Sequence, residues 1–141
     1  MTMPEETPLQ WRRDNQRELI ALAEILHVSE RTLGPEHPDT LRSRHSMALG
    51  FFKMGRIQDA VRLHEDTLQI RERVLGPEHP DTLRTRDDLA RGYIDLGRVV
   101  EAVKHLEETL ITRERVLGSE HPDTVDSRDN LDAAYRNLGR R

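Results

Sequence analysis

The chain has 141 residues, of which 34% are charged and only 4% aromatic, and its formal net charge is −4 at pH 7. Because 26 acidic residues outnumber 22 Lys and Arg residues, the chain lacks the cationic surface that nucleic-acid binding requires. The absence of cysteine excludes disulfides, thiolate zinc sites and cysteine nucleophiles.

The chain also lacks the features of a membrane or secreted protein. No apolar run approaches the ~20 residues that a spanning helix requires. The first nine residues are polar and acidic, without the apolar stretch of a signal peptide. We therefore expect no membrane partner and a cytoplasmic location.

One eight-residue segment recurs along the chain. Leu-Gly-Pro-Glu-His-Pro-Asp-Thr occupies residues 33–40 and 75–82, and a version with Ser in place of the first Pro occupies residues 117–124. The repeated glycine therefore recurs at a constant spacing, at Gly34, Gly76 and Gly118. A fixed period of this size predicts a solenoid, in which each unit buries its apolar face against its neighbours.

The N-terminal part of the chain precedes the first complete repeat. Residues 1–6 are expected to be disordered. Thr7 and Gln10 form the pattern of a capping box, with Pro8 at the first helical position, which predicts a long helix over about residues 8–32. Residues 7–34 are thus predicted to form a half-repeat that contains only the second helix of a repeat, helix B.

Two complete repeats follow, at residues 35–76 and 77–118, and each is predicted to contain an antiparallel pair of helices, A and B. Helix A of the first repeat is predicted to begin at Pro38. Proline suits the first helical position because the N–H that it lacks would have no partner within the helix there. Asp39 beside it complements the positive end of the helix dipole.

Helix B of the first repeat is predicted over about residues 58–75. It should end where Gly76 provides a left-handed cap and Pro77 prevents continuation. Its apolar spacing predicts burial of Val74, and the same spacing in the second repeat predicts burial of Leu117. His64 and His105 are expected to be partly buried on these helices.

The last segment, residues 119–141, is predicted to form a C-terminal half-repeat with helix A alone. The chain would then be all-α, with six helices in the order B, A–B, A–B, A. The Gly-Arg pairs at residues 55–56, 97–98 and 139–140 are predicted to form the turn that follows helix A, rather than a phosphate-binding loop.

The repeat resembles the tetratricopeptide repeat, whose usual length is 34 residues. The 42-residue version, with its Leu-Gly-Pro-Glu-His-Pro-Asp-Thr linker, is similar to the kinesin-light-chain subclass, which is also common in bacterial regulatory proteins. The resemblance implies a right-handed α-α superhelix that binds a peptide or protein, without catalytic activity and without a cofactor. The residues that carry it are Met47, Ala48, Phe51, Gly55, Ala60 and Leu68, then Leu89, Ala90, Tyr93, Gly97, Ala102 and Leu110.

In this family the first helices of the repeats line a concave face, and the resemblance implies that this face binds the partner. Phe52 and Ile94 could anchor a peptide, while Arg42, Arg84 and Arg91 could pair with its acidic side chains. The alternative is a solvated helix face of mixed charge. The implied partner-binding residues are Arg42, His45, Leu49, Phe52, Lys53, Arg84, Asp87, Arg91, Ile94, Asp95, Asp126, Asp129, Arg136 and Asn137.

The repeated Glu-His-Pro-Asp places one histidine beside two acids three times, at His37, His79 and His121. Stacked helix layers lie roughly 10 Å apart, whereas zinc ligands must converge to about 2 Å from one ion. We therefore interpret these residues as helix caps and expect no metal site and no catalytic residue.

Both terminal half-repeats carry an acid where a complete repeat has alanine. Glu18 corresponds to Ala60, and Asp132 corresponds to Ala48 and Ala90. Head-to-tail stacking of copies would bring these two acids together, so we expect a monomer. A weak isologous dimer through Leu131, Tyr135 and Leu138 remains open. Two further functions remain open as well, an assembly module that uses its end faces and a sensor segment of a larger regulator.

Overall fold

A computed structural model describes residues 7–139, so the prediction of disorder for residues 1–6 lies outside the described part. Within that part there are six helices and no strand. They are α1 (Pro8–Leu33), α2 (Pro38–Lys53), α3 (Ile57–Val74), α4 (Pro80–Asp95), α5 (Val99–Leu117) and α6 (Pro122–Gly139). The chain divides into two compact units, Met1–Leu63 and His64–Arg141, and the boundary falls within α3.

The helix starts follow the predicted local chemistry. The Thr7 hydroxyl accepts a hydrogen bond from the backbone N–H of Gln10, as a capping box requires. At each repeated segment the ring Nδ1 of histidine accepts the backbone N–H of the aspartate two positions later, at 3.1 Å in all three cases. The repeated histidine therefore caps the following helix, which accounts for its recurrence.

The repeated glycines Gly34, Gly76 and Gly118 follow the ends of helices. All have positive φ, and Gly34 and Gly118 have ψ of 163° and 161°. These values lie outside the left-handed helical region and in a region that is essentially open only to glycine. The N–H of each of these two glycines still donates to the carbonyl four residues earlier, so the chain turns only after the last helical hydrogen bond.

The repeated threonine joins consecutive helices at two of its three positions. Thr40, Thr82 and Thr124 are all fully buried. The Thr40 hydroxyl donates to the carbonyl of Ser29, and the Thr82 hydroxyl donates to that of Arg71. In the first two repeated segments the last residue thus fixes the start of helix A against the end of the helix before it.

In the first unit α1 packs antiparallel to α2. Their approach is close near Gly50, because a Cβ there would lie 3.1 Å from the Leu22 side chain and 3.2 Å from that of Leu19. The Gly-Arg turn that follows α2 is held by Arg56, which lies 4.8 Å over the ring of Phe51 and forms an ion pair with Asp59.

In the second unit α4 packs on α5 and α5 packs on α6. Its core consists of apolar side chains from all three helices, among them Leu89, Ala90, Ala102, Leu106, Leu131 and Ala134. The Gly-Arg turn before α5 repeats the first one, since Arg98 lies 4.3 Å over Tyr93 and forms an ion pair with Glu101.

Four packing expectations need correction. Val74 and Leu117 are exposed, because each is at the end of a helix B where the repeated loop turns away. His64 is completely buried rather than partly buried. Leu131 packs in the core of the second unit, so it is not available on an end face.

Candidate functional site

A cleft of about 130 Å³ lies in the second unit. We call it the central cleft. It brings together three of the residues implied by the family resemblance, Asp87, Arg91 and Ile94 of α4, with side chains of α5 and α6. Its lining consists of Asp87, Arg91, Ile94, Leu106, Asn130 and Ala133.

An ion pair supports the α4 side of the central cleft. Arg113 donates to Asp87 Oδ2 and to the Ser127 hydroxyl, both at 2.6 Å, so it joins α4, α5 and α6. Burial raises the pKa of Asp87, and the charge and hydrogen bond of Arg113 oppose that rise. The second carboxylate oxygen of Asp87 has no hydrogen-bond partner among residues 7–139.

A second and larger cleft, of about 360 Å³, lies where the repeated loops meet the ends of α4, α5 and α6. We call it the loop cleft. Arg84, which the family resemblance places with Arg91, lines this cleft instead of the central one. Its lining consists of Glu78, Pro80, Leu83, Arg84, Arg113, Val116, Leu117, His121 and Asp123.

The candidate residues of the first unit have a different setting. Leu49 and Lys53 line a notch of about 300 Å³ with Glu18, Leu22, Ser46 and Gly50. Lys53 is bound to Glu18 at 3.1 Å, so Glu18 has a counter-ion. Arg42 is bound to Asp39 at 3.3 Å, and His45 and Phe52 are half-buried.

The remaining candidates line none of these clefts. Asp95 is exposed near the end of α4, and the four candidates of α6 are exposed along that helix. Those four are Asp126, Asp129, Arg136 and Asn137. The structure therefore separates the implied site into residues that share a cleft and residues that are merely exposed.

The resemblance did not identify Leu106 and Ala133 as lining residues. For Ala133 the sequence contained a signal, since Arg91 and Leu49 occupy the equivalent positions of the two preceding repeats. A small residue at a register position that otherwise has large side chains leaves space. For Val116 and Leu117 there was no such signal, because the sequence pattern predicts burial for an apolar residue near a helix end.

Neither a candidate metal-ligand group nor a candidate membrane-spanning helix occurs in the described part of the chain. Residues 7–139 contain no group of three or more His, Asp or Glu side chains that could hold a metal ion. None of the six described helices combines the length and apolarity needed to cross a bilayer.

Comparisons with known proteins agree with the helical-repeat fold. The sequence profile of the tetratricopeptide repeat family matches residues 19–73 and 46–110, which together span more than half of the chain. A search of curated proteins found no significant match.

Two solved structures come from a Podosopora anserina protein of kinesin light chain type with nearly identical TPR-like repeats. The first is 33% identical over 92% of this chain, with a TM-score of 0.83, and a variant of the same protein with one residue changed gives the same values. A third structure, BtubC (BKLC) from P. vanneervenii, is 19% identical over 89% of this chain, with a TM-score of 0.80.

The chain spans less than two thirds of the length of these structures, namely 63%, 62% and 50%. The fold class predicted from the repeats, an all-α tetratricopeptide solenoid of six helices, is confirmed. The chain belongs to the tetratricopeptide repeat family and is of the type found in kinesin light chains.

Proposed function

We propose that this chain is a non-enzymatic scaffold that binds a peptide or a segment of a protein, with the central cleft as its main anchoring position. The observation that carries the proposal is the composition of that cleft. Ile94, Leu106 and Ala133 supply apolar surface, while Asp87, Arg91 and Asn130 supply an acid, a cation and an amide. Such a combination suits one anchor side chain and the backbone polar groups beside it.

The size of the central cleft supports the same interpretation. Its volume of about 130 Å³ is close to the roughly 150 Å³ of an engineered cavity that holds benzene. A single side chain of a partner would fill it, whereas a nucleotide or a larger cofactor would not fit. The family is one of interaction scaffolds, which agrees with a function in binding alone.

The test fills the cleft from a position where a larger side chain does not disturb the core. Ala133 is exposed on α6, so Ala133→Trp should block the cleft and leave the fold intact. The matched control is Ala23→Trp at an exposed position of α1 that lines none of the clefts.

A random dodecapeptide library displayed on phage would be selected against the wild-type chain, and selected peptides would be synthesised for calorimetry. We expect Ala133→Trp to weaken their binding at least tenfold, or ~1.4 kcal/mol, and Ala23→Trp to have no effect. Equal binding to both variants would refute the assignment of this cleft.

A second candidate function, self-assembly through the α6 face, is favoured by one observation. Val125 and Tyr135 are 37% and 44% exposed, whereas their counterparts in α4, Leu83 and Tyr93, are 4% and 5% exposed. The double variant Tyr135→Glu with Leu138→Glu should lower any oligomeric state seen in sedimentation experiments if this face drives assembly. Under the peptide-binding proposal it should change neither the oligomeric state nor the affinity for selected peptides.

A further inference from the structure

The loop cleft is distinct from the central cleft and has its own chemistry. We propose that it is a second recognition position for the same partner peptide, and that it receives a large apolar side chain flanked by one acidic and one basic residue. This inference rests on the proposed peptide-binding function and specifies the sequence class of the peptide.

The apolar part of the cleft calls for an apolar occupant. Val116 and Leu117 both line it and are both exposed, and the buried Leu83 also lines it. Neighbouring exposed apolar residues that line a concave surface mark binding sites more often than isolated ones do. The volume of about 360 Å³ is more than twice the roughly 150 Å³ that accommodates benzene, so a large side chain fits with its flanking backbone.

Arg84 supplies the cation of the cleft. Among residues 7–139 its guanidinium has no ion-pair or hydrogen-bond partner. Its counterpart one repeat earlier, Arg42, is bound to Asp39 at 3.3 Å. Although Asp81 stands at the equivalent position in α4, Arg84 does not pair with it and lines the cleft instead. An acidic side chain of the occupant would therefore gain a charged partner that no described side chain already holds.

Asp123 supplies the matching anion. Its backbone N–H donates a hydrogen bond to Nδ1 of His121, but its carboxylate has no partner in the described part of the chain. The other charged residues of the cleft are already engaged. Glu78 is bound by Arg115, and Arg113 is bound by Asp87 and Ser127. The cleft thus offers one free positive charge and one free negative charge beside an apolar surface.

The exposure of the rim favours a peptide over a small molecule as the occupant. Glu78, Pro80, Arg84, His121 and Asp123 are all exposed, so one side of the occupant must face solvent. Small ligands are usually buried over 70–90% of their surface. A side chain that enters from a peptide backbone needs no such enclosure, and its neighbours can reach the two charges on the rim.

Charge reversal tests the assignment of the two charges. The phage-displayed dodecapeptide library would be selected in parallel against the wild type, Arg84→Glu, Asp123→Lys and the control Arg62→Glu, at an exposed position of α3 that lines none of the clefts. We expect wild-type selections to share an apolar residue flanked by an acid and a base. Arg84→Glu should replace the acid with a base, Asp123→Lys should replace the base with an acid, and Arg62→Glu should leave the consensus unchanged.

Calorimetry with synthetic peptides provides the second measurement. Each charge reversal should weaken binding of the wild-type consensus peptide about fivefold, as expected for an exposed ion pair, and the reversed peptide should regain that loss. Asp123→Asn should abolish the preference for a base without placing a cation at the start of α6. Far-UV circular dichroism of every variant verifies the fold.

Each failure has a separate signature. A consensus without flanking charges, or one that Arg84→Glu and Asp123→Lys leave unchanged, overturns the loop-cleft proposal. If Ala133→Trp still weakens binding at least tenfold in that case, the proposed function stands. Selections that yield no peptide above an unrelated helical control protein overturn both proposals.

Discussion

The ion pair beneath the central cleft gives a sharp prediction about stability. Arg113 and Asp87 are largely buried, with 10% and 18% of their side-chain surfaces exposed, and lie 2.6 Å apart. Arg113→Met would remove the cation and leave the carboxylate of Asp87 without the hydrogen bond that Arg113 donates. Ser127 would lose its hydrogen bond at the same time.

The expected magnitude follows from the cost of an uncompensated buried charge. Removal of one partner from a buried pair typically costs about 3–5 kcal/mol. Because Asp87 keeps some contact with solvent, we expect about 3 kcal/mol for Arg113→Met at neutral pH. The double variant Arg113→Met with Asp87→Leu should recover much of this loss, since it removes the stranded carboxylate as well.

The pH dependence of this loss has a defined sign. Burial raises the native pKa of Asp87 above 3.8, so the native state binds its proton more readily than the unfolded state does. Its contribution to stability therefore falls as the pH rises through the window above 3.8. Loss of Arg113 raises the native pKa further, so the penalty of Arg113→Met should be larger at neutral pH than in acid.

Urea denaturation followed by far-UV circular dichroism, at about pH 4 and about pH 7, would measure this difference. The control is Arg42→Met, which breaks an ion pair whose side chains are 75% and 56% exposed. That variant should cost less than about 0.5 kcal/mol. Equal penalties for the two variants, or a penalty for Arg113→Met that does not change with pH, would refute the argument.

Two further predictions concern a helix end and a half-buried histidine. Gly118→Ala should lower the free energy of unfolding by about 1–3 kcal/mol, because the φ and ψ of Gly118 are open to glycine alone. The control is Gly139→Ala, at a helical position with space for a Cβ. In the same urea titration it should leave the free energy of unfolding unchanged or raise it slightly. Burial, and next to it the charge of Arg86, lowers the native pKa of His105 below 6.5, so its contribution to stability is lost as the pH falls through that value. His105→Phe should keep the ring stacking on Tyr93 and flatten the dependence of the urea midpoint on pH just below 6.5; an unchanged slope would contradict this.

The loop of each repeat shows how much of the fold was predictable. The residues of the repeated segment act on backbone groups only a few positions away. Gly ends the preceding helix, His caps the next helix, Pro begins it, and Asp complements its dipole. The helix limits could therefore be derived from the local sequence, and the constant period defined how they repeat. The ψ angle of Gly118 could not be derived in this way, because the sequence indicates a positive φ at this glycine but not its ψ.

The candidate site was predictable only in part. The family resemblance named Asp87, Arg91 and Ile94, which share the central cleft, but it also grouped Arg84 with them. The two clefts lie at different heights along α4, and their depth depends on what α5 and α6 contribute. Periodicity identifies a face of a helix, whereas a cleft depends on the sizes of side chains from three helices.

The sequence by itself determined the phase of the repeats, the six helices and the family, because these depend on short-range backbone chemistry and a constant period. The tertiary structure decided which charges are engaged and which remain available. Arg42 and Arg84 occupy the same register position, yet the first is paired and the second lines the loop cleft. That difference arises from the surroundings of each side chain. Those surroundings depend on the packing of residues distant in sequence, which a repeat pattern does not predict.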